Sequence, residues 1–499
     1  MDYPVFILIG LSLLIRFICL GSSDLLVEEA YYWSYAQHLD FGYVDHPPMV
    51  AMLIRASTYL SGTHEFGVRI TSMLCWLLTV CFSFKLTNLI TRGAGKYAVF
   101  LLAILPFFFV QSLVITPDQP LLVCWSAALY CLYRALVMRE SRYWFLAGVW
   151  LGLGLLSKYT IVLLGPATLL YVCVVPSARQ WLSRFEPYVA VLIAALLFTP
   201  VIYWNATHEW ASFVFQGSRR IHEPLSFSFH ELLGLFLFFL TPLGTAGFVR
   251  LFRKKDVKKE GVNLETKRFL QVFTIVPLIF FAVFSLTHPI KFNWIGPGLL
   301  AVIPWLASLI HRAPKSKVCA VRRKGWLLTG TLLLVCYSGM MLSIIFGVPE
   351  KAHQTLLTKF IAWEDFTRHV HAVAKQVELE TQSKPIIIPL DRYYISSELA
   401  FYQAKLLAEG DIQETYSVRG SHVFGGESLM YRYWSNSTDL AGQTLLLISD
   451  NPRHFDNPSI KQQVIERSPV QSFWSVSQGR KTPIRRYYYQ VVQMIPVAP

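Results

Sequence analysis

VFILIGLSLLIRFICLGSSDLLVEEAYYWSYAQHLDFGYVDHPP, Val5 to Pro48, joins two unlike pieces of chain. Val5–Leu20 is an apolar run on the scale of a bilayer core, which takes about 20 residues to cross. It has no basic leader and no Ala-x-Ala cleavage site, and Arg16 interrupts it. It therefore reads as a retained first transmembrane helix and not as a cleaved signal peptide. Beyond Gly21 come Asp24, Glu28, Glu29, Asp40 and Asp45, interleaved with Tyr31, Tyr32, Trp33, Tyr35 and Tyr43. Acids and aromatics gathered just outside a membrane helix make this loop the first place to look for chemistry.

The rest of the chain supports the membrane reading. Of 499 residues, 54% are hydrophobic and only 15% charged, and the mean hydropathy is +0.42. A soluble chain of this length needs more charge to cover its surface. The apolar residues fall in about eleven blocks, near 4–21, 68–90, 96–114, 119–137, 143–157, 159–175, 187–204, 230–251, 268–287, 294–311 and 325–347. Alternate loops between them are basic: Arg92 with Lys96; Arg134, Arg139 and Arg142; Arg179 and Arg184; RKKDVKKEGVNLETKR; and HRAPKSKVCAVRRK. By the positive-inside rule those loops are cytoplasmic, and the acidic loop lies on the opposite face. The net charge of +14 is thus mainly a topology signal, and nucleic acid is not the expected partner.

After residue 347 the composition changes. Residues 348–499 carry mixed charge, a helical pattern over 354–379, and strand-like runs PIIIPL, TLLLISD and YYYQVVQMI. The expected organisation is a membrane domain over 1–347, with its catalytic first outer loop at 22–67, and a small extracytoplasmic α/β domain over 348–499. None of the eight cysteines forms a CxxC, and 348–499 has none, so neither a thiol metal site nor a disulfide framework is expected.

Within the acidic loop the spacing predicts a short helix over Glu28–Leu39, capped by Asp24 or Ser23, and a second over Met49–Leu60. Pro47 holds His46 extended and Pro48 suits a first helical turn, which places Asp45 and His46 at that helix's start. Carboxylates at a bilayer are costly unless they face water, a metal or a partner. A carboxylate here can act as a general base on a hydroxyl, or bind a divalent cation that neutralises a phosphate. The plainer alternative is that Glu28 and Glu29 are solvated first-turn acids. Other candidates fall on the same face, each with its own plain alternative. Asp118 in TPDQP is also good turn chemistry. Lys158 can meet an anion or snorkel to the interface. Arg219 and Arg220 suit a phosphate or stand exposed. His222 can be a metal ligand beside a carboxylate, or a surface histidine. Tyr and Trp side chains stack on sugars or form an interfacial belt. YRYW, Tyr431 to Trp434, can stack on a glycan or pack in a core.

EEAYYW and DHPP, then VRI at Val68–Ile70, TPDQPLL at Thr116–Leu122, GLLSKYT at Gly154–Thr160 and FNW at Phe292–Trp294, resemble the bacterial membrane glycosyltransferases related to protein O-mannosyltransferases. The group includes the aminoarabinose transferase that modifies lipid A. The resemblance covers roughly residues 1–310. It implies a polytopic α-helical protein of the type C glycosyltransferase fold, which takes a sugar from a polyprenyl phosphate and transfers it with inversion. It implies catalytic roles for Glu28, Glu29, Asp45 and Asp118. The family's acidic pair is usually Asp-Glu, so Glu28 departs from the pattern by one methylene and Glu29 keeps it. Donor-phosphate contacts fall on Lys158, Arg219, Arg220 and His46, although the aminoarabinose enzyme has a lysine in place of His46. Substrate contacts fall on Tyr31, Tyr32, Asn293 and Trp294. A divalent cation on Asp45 and His222 is the one cofactor this resemblance admits. Glu29→Gln is expected to abolish transfer and leave the fold intact.

The expected activity is transfer from a polyprenyl-phosphate-linked sugar to lipid A, lipopolysaccharide or another glycolipid, by a monomer in the bacterial inner membrane with its C-terminal domain periplasmic. A protein O-glycosyltransferase of the same fold and a lipid-linked sugar flippase are the alternatives. A ligase or polymerase using a polyprenyl diphosphate is a further one, and the SKYT, DHPP and TPDQP set points away from it.

Overall fold

The computed structural model describes residues 2–219, 224–253, 262–312, 317–347, 360–435, 440–477 and 483–495. All eleven apolar segments contain helix, but not all as single long helices. Among the described residues five helices are long and apolar enough to cross a membrane by length and composition: Glu65–Ile90, Glu186–Thr207, Phe229–Phe252, Leu264–Ser285 and Arg323–Phe346. A pair bent by 117°, Tyr159–Val174 with Pro176–Ser183, brings the number to six if it is one span. The other blocks of the expected eleven are built from shorter or broken helices, and proline explains two of the breaks. The 96–114 block splits into Gly95–Ile104 and Pro106–Gln111, because Pro106 has no amide proton to continue the ladder. The 294–311 block starts as a 3₁₀ turn at Pro297–Ala301 and becomes α-helical at Ile303–His311, with Pro304 in its first turn. Helix Arg142–Leu155 is simply short.

By packing, the chain forms two compact units, and the division differs from a linear cut at residue 347. The first comprises residues 1–18, 41–50 and 70–339; the second comprises 19–40, 51–69 and 340–499.

The first unit is a helical bundle. Helices Arg142–Leu155 and Glu186–Thr207 approach so closely that a Cβ on Gly148 would meet the Ala190 carbonyl oxygen at 2.5 Å. One turn on, a Cβ on Gly152 would lie 3.1 Å from the Ala194 Cα. Small residues four apart on both helices permit this approach in lipid, where apolar burial drives little association. Arg16, the charge inside the first helix, is fully buried. It donates to Ser112 Oγ at 2.6 Å and to the Ala103 carbonyl at 3.0 Å, and its guanidinium lies 4.4–4.5 Å from the Phe109 and Trp76 rings. Such satisfaction is what an intramembrane arginine requires.

The second unit holds a mixed five-stranded sheet, ordered β1 (Ile386–Pro389), β2 (Thr444–Ser449), β5 (Pro483–Met494), β3 (Val464–Glu466), with β4 (Gln471–Val476) also on β5. β1 and β2 are parallel and the other pairs antiparallel. The predicted PIIIPL, TLLLISD and YYYQVVQMI runs are β1, β2 and β5. β3 and β4 escaped the sequence reading because they are short and mostly exposed, with no apolar run to mark them. Ile388, Leu445, Leu447 and Val492 form the core with Phe424 and Phe455. The helical pattern over 354–379 is realised as Trp363–Thr381, and residues 354–359 lie outside the described residues.

Candidate functional site

In the first unit the polar cluster begins at TPDQP. Asp118 opens the helix Asp118–Leu136, where the helix dipole favours a negative charge. Its carboxylate is 1% exposed and fully engaged. Oδ1 accepts from Lys158 Nζ at 2.8 Å, and Oδ2 accepts from Asn293 Nδ2 at 2.5 Å and Thr116 Oγ1 at 3.4 Å. Residues 118, 158 and 293 are far apart in sequence and converge on one carboxylate. Lys158 sits in an extended residue between helix Arg142–Leu155 and the 3₁₀ turn Tyr159–Leu163. It is held there because its own amide donates to the Gly154 carbonyl at 2.8 Å. A Cβ on Gly154 would meet Ile161 Cδ1 at 2.0 Å and Cys124 Cβ at 3.2 Å, so a side chain there would force Ile161 to shift.

The DHPP segment belongs to the same unit. The Met49 amide donates to the Leu156 carbonyl at 3.0 Å, which pins the start of helix Met49–Ser61 beside the Lys158 turn. The Asp45 carbonyl accepts from Gln216 Nε2. The Asp45 side chain is buried, and Tyr159 is the residue after Lys158. Tyr159 is fixed in turn by a 2.8 Å hydrogen bond to Ser212. Asp118, Lys158 and Asn293 are thus drawn together, and the Met49–Leu156 bond ties the DHPP segment to the chain just before Lys158. Trp294 packs instead on Phe281 and Phe284, with ring centroids 5.6 and 5.3 Å away. His46 is half-buried. Arg219 is exposed, with its guanidinium 5.2 Å from the Phe215 ring. Arg220 and His222 lie outside the described residues. Among the described residues no group of three or more His, Cys, Asp or Glu is placed to hold a metal ion.

An apolar cavity of about 490 Å³ lies in this unit, lined by Pro106, Leu237, Thr241, Pro242, Leu332 and Leu333 among others. Thr241 takes φ of +62° at a break in helix Phe229–Phe252, immediately before Pro242. A β-branched residue in that conformation is strained. Phe107, next to Pro106, packs on Phe239 and Phe292, the latter adjoining Asn293.

The second unit contains the other candidates. The predicted helix is Val27–Gln37. Neither Asp24 nor Ser23 caps it, which corrects that expectation. Glu29 instead reaches back to the Leu26 amide at 3.0 Å. Asp24 accepts from the Trp363 amide at 2.8 Å and so caps helix Trp363–Thr381. Desolvation pushes its carboxyl up to about 7.

Glu28 and Glu29 differ sharply. Glu29 is 0% exposed and paired with Arg69, itself 2% exposed, through contacts of 2.7 to 3.1 Å. Arg69 also donates to the Asp24 and Ser23 carbonyls at 2.7 and 2.9 Å. Glu28 is half-buried and, among the described residues, makes no hydrogen bond or ion pair. Tyr31 and Tyr32 are buried against each other and Tyr35. Sequence reasoning missed Arg69, although VRI was noted, and Glu398, which lies in helix Tyr394–Glu409 with no motif to flag it.

Comparison with known proteins follows the same lines. Residues 45–204 match the family model described as dolichyl-phosphate-mannose-protein mannosyltransferase. Over 193 residues the chain is 28% identical to lipid A galacturonosyltransferase RgtD of Rhizobium johnstonii. That match covers 38% of this chain and spans 40% of the curated relative's length. Among solved structures, ArnT from Cupriavidus metallidurans superposes with a TM-score of 0.62 in the apo state, at 14% identity, over 98% of this chain and 97% of its own. The same protein bound to undecaprenyl phosphate gives 0.63 at 14% identity, over 99% and 98%. The chain is a multi-pass membrane protein with the type C glycosyltransferase fold, similar to ArnT along its whole length.

Proposed function

We propose that the chain is an inverting glycosyltransferase that moves a sugar from a polyprenyl phosphate to lipid A or another glycolipid, on the outer face of the bacterial inner membrane. Its C-terminal domain is periplasmic in this reading, as the charge pattern of the loops requires. The observation that carries the proposal is the buried Lys158–Asp118–Asn293 cluster, with the DHPP segment tied to Leu156 next to it in the chain.

In the reaction the bond from the sugar's anomeric carbon to the phosphate oxygen breaks. The acceptor oxygen bonds to the opposite face of that carbon. Polyprenyl phosphate departs with the electron pair and needs cationic stabilisation, which is worth most when preorganised and dry. Lys158 supplies it. Asp118 holds the ammonium through one of its three N–H groups, and Asn293 holds Asp118. Arg219, Arg220 and His46 are the further phosphate contacts proposed. The 490 Å³ apolar cavity suits an isoprenoid segment. On the acceptor side Glu28 is the available carboxylate, since Glu29 is committed to Arg69. A hydroxyl acceptor would give its proton to Glu28; a phosphate acceptor is already anionic. A divalent cation on Asp45 with His222 would add Lewis-acid neutralisation, and no step above depends on it. Loss of transfer in EDTA, restored by adding back a divalent ion, tests that part.

The resemblance to RgtD and ArnT, named for lipid A transfer and bound to undecaprenyl phosphate respectively, supports the donor and acceptor classes. Purified protein given radiolabelled polyprenyl-phosphate sugars and lipid A tests the whole reading. Wild type should transfer label, and Lys158→Met should lose roughly 10²–10³-fold in kcat. Transfer to protein with none to lipid A would instead select the protein O-glycosyltransferase reading.

A further inference from the structure

The second unit contains a cleft of about 260 Å³ that the proposed reaction does not use. It opens between helix Val27–Gln37 and the face formed by Tyr394–Glu409, Thr415–Val418 and Tyr431–Trp434. Three things define its chemistry. Its walls are aromatic: Trp33, Tyr416, Tyr431 and Trp434, with His38 stacked on Trp434 at 4.5 Å and 15°. Its rim carries neutral hydrogen-bonding groups, the exposed Thr415 hydroxyl and the exposed Gln37 amide, whose Oε1 accepts from Arg55 at 3.2 Å. None of its lining residues is Asp, Glu, Lys or Arg. Trp33 in the wall is 5% exposed, and among the described residues its indole N–H has no hydrogen-bond partner.

We propose that this cleft is a binding subsite for one uncharged sugar ring. The C–H face of a pyranose is apolar and lies on indole, while its hydroxyls take up donors and acceptors at the edge. The volume is below the roughly 300–1,000 Å³ of sites for drug-sized ligands, which fits a single ring and excludes a lipid tail. Among the described residues no Lys or Arg lines the cleft, and Arg55 meets it only through the Gln37 amide, which favours a neutral sugar over a phosphate or uronate. Its role, to hold a neutral sugar of a glycan-bearing acceptor, rests on the transferase reading; sugar binding itself does not.

The test uses full-length protein in a detergent without a sugar headgroup. Methyl β-glucopyranoside and N-acetylglucosamine are titrated by saturation-transfer NMR and tryptophan fluorescence, with galacturonate as the charged control. A saturable response to a neutral sugar, with Kd on the order of 1 mM, is expected. Trp434→Ala should weaken it at least tenfold, and Trp434→Phe should restore most of it. If Trp434→Ala does not fold, Thr415→Val at its exposed position should weaken binding several-fold. Asp118→Asn should lose transfer and keep sugar binding, so failure of the transferase reading leaves the site standing. In a transfer assay, Trp434→Ala should raise KM for a glycan-bearing acceptor and leave kcat unchanged. Loss of sugar binding in Trp434→Ala with unchanged KM would reassign the cleft to a free sugar and overturn the acceptor role. No saturable response to either neutral sugar, an equal response to galacturonate, or binding untouched by the cleft variants would overturn the site.

Discussion

Glu29 is enclosed with Arg69, and its neighbour Glu28 is left half-buried and unpaired among the described residues. Two adjacent acids with one spacing pattern have two different fates, and the arginine that decides between them stands forty positions away. Removing one partner of a buried pair leaves an uncompensated charge, at a cost of about 3–5 kcal/mol. Glu29→Gln should therefore lower the melting temperature markedly, which replaces the expectation of an intact fold. Glu28→Gln should melt with wild type and lose transfer to a hydroxyl acceptor. A Glu28→Gln protein with full transfer would remove that residue from the mechanism. Glu398 gives a pH signature. Both of its carboxylate oxygens are buried and, among the described residues, have no hydrogen-bond partner. Desolvation first, then the charges of Asp24, Glu29 and Glu28, push its carboxyl well above the usual range, against an opposing pull from Arg69. As pH rises past the unfolded value of 4.5 the unfolded chain releases this proton and the folded chain keeps it. Stability then falls by about 1.4 kcal/mol per pH unit until the folded carboxyl ionises. Glu398→Gln should thus raise the melting temperature at pH 8, with the gain shrinking toward pH 5. An equal shift at both pH values would show that protonation is not the cause.

At the level of elements, proline and glycine positions govern the bundle. Apolar blocks were legible as helices because hydropathy alone identifies them. Whether a block forms one long rod or two short ones turned on Pro106, Pro297 and Pro304, whose effect depends on what neighbouring helices supply to the freed carbonyls. Gly148 and Gly152 lie against Ala190 and Ala194 with no room for a side chain. Gly148→Val should cost about 1–3 kcal/mol through overpacking. Thermal unfolding in detergent checks this, and an unchanged midpoint would mean the helices are not so closely packed. The first outer helix was legible within two residues of its ends. Its capping was not, because Asp24 serves a helix whose first residue, Trp363, is 339 positions away.

At the scale of the molecule, the first outer loop packs with the C-terminal region. Lys405 bridges Glu65 of the loop and Glu364 of helix Trp363–Thr381, both at 2.9 Å. The Leu25 amide donates to Tyr402 at 2.9 Å and Met430's to Tyr31, at 3.2 Å. A chain ending at residue 347 would strip Asp24, Glu65, Leu25 and Tyr31 of these partners. Residues 19–40 of such a chain should be cut rapidly by protease under conditions where the full-length protein resists. Equal resistance would mean that the loop folds without the C-terminal region.

Sequence alone determined the membrane character and the spacing of the TPDQP, SKYT and DHPP motifs, and it supplies the argument for the proposed orientation. These depend on local hydropathy, on charge counted loop by loop, and on turn chemistry, all of which are properties of neighbouring residues. The tertiary structure decided which acids are structural and which are available. It placed Glu29 on Arg69, Asp118 on Lys158 and Asn293, and Asp24 on Trp363. It also brought Trp33 to the same cleft as Trp434. The physical reason is that a carboxylate's role is set by its burial and its charge partners, and in this chain those partners come from segments 40 to more than 300 residues distant.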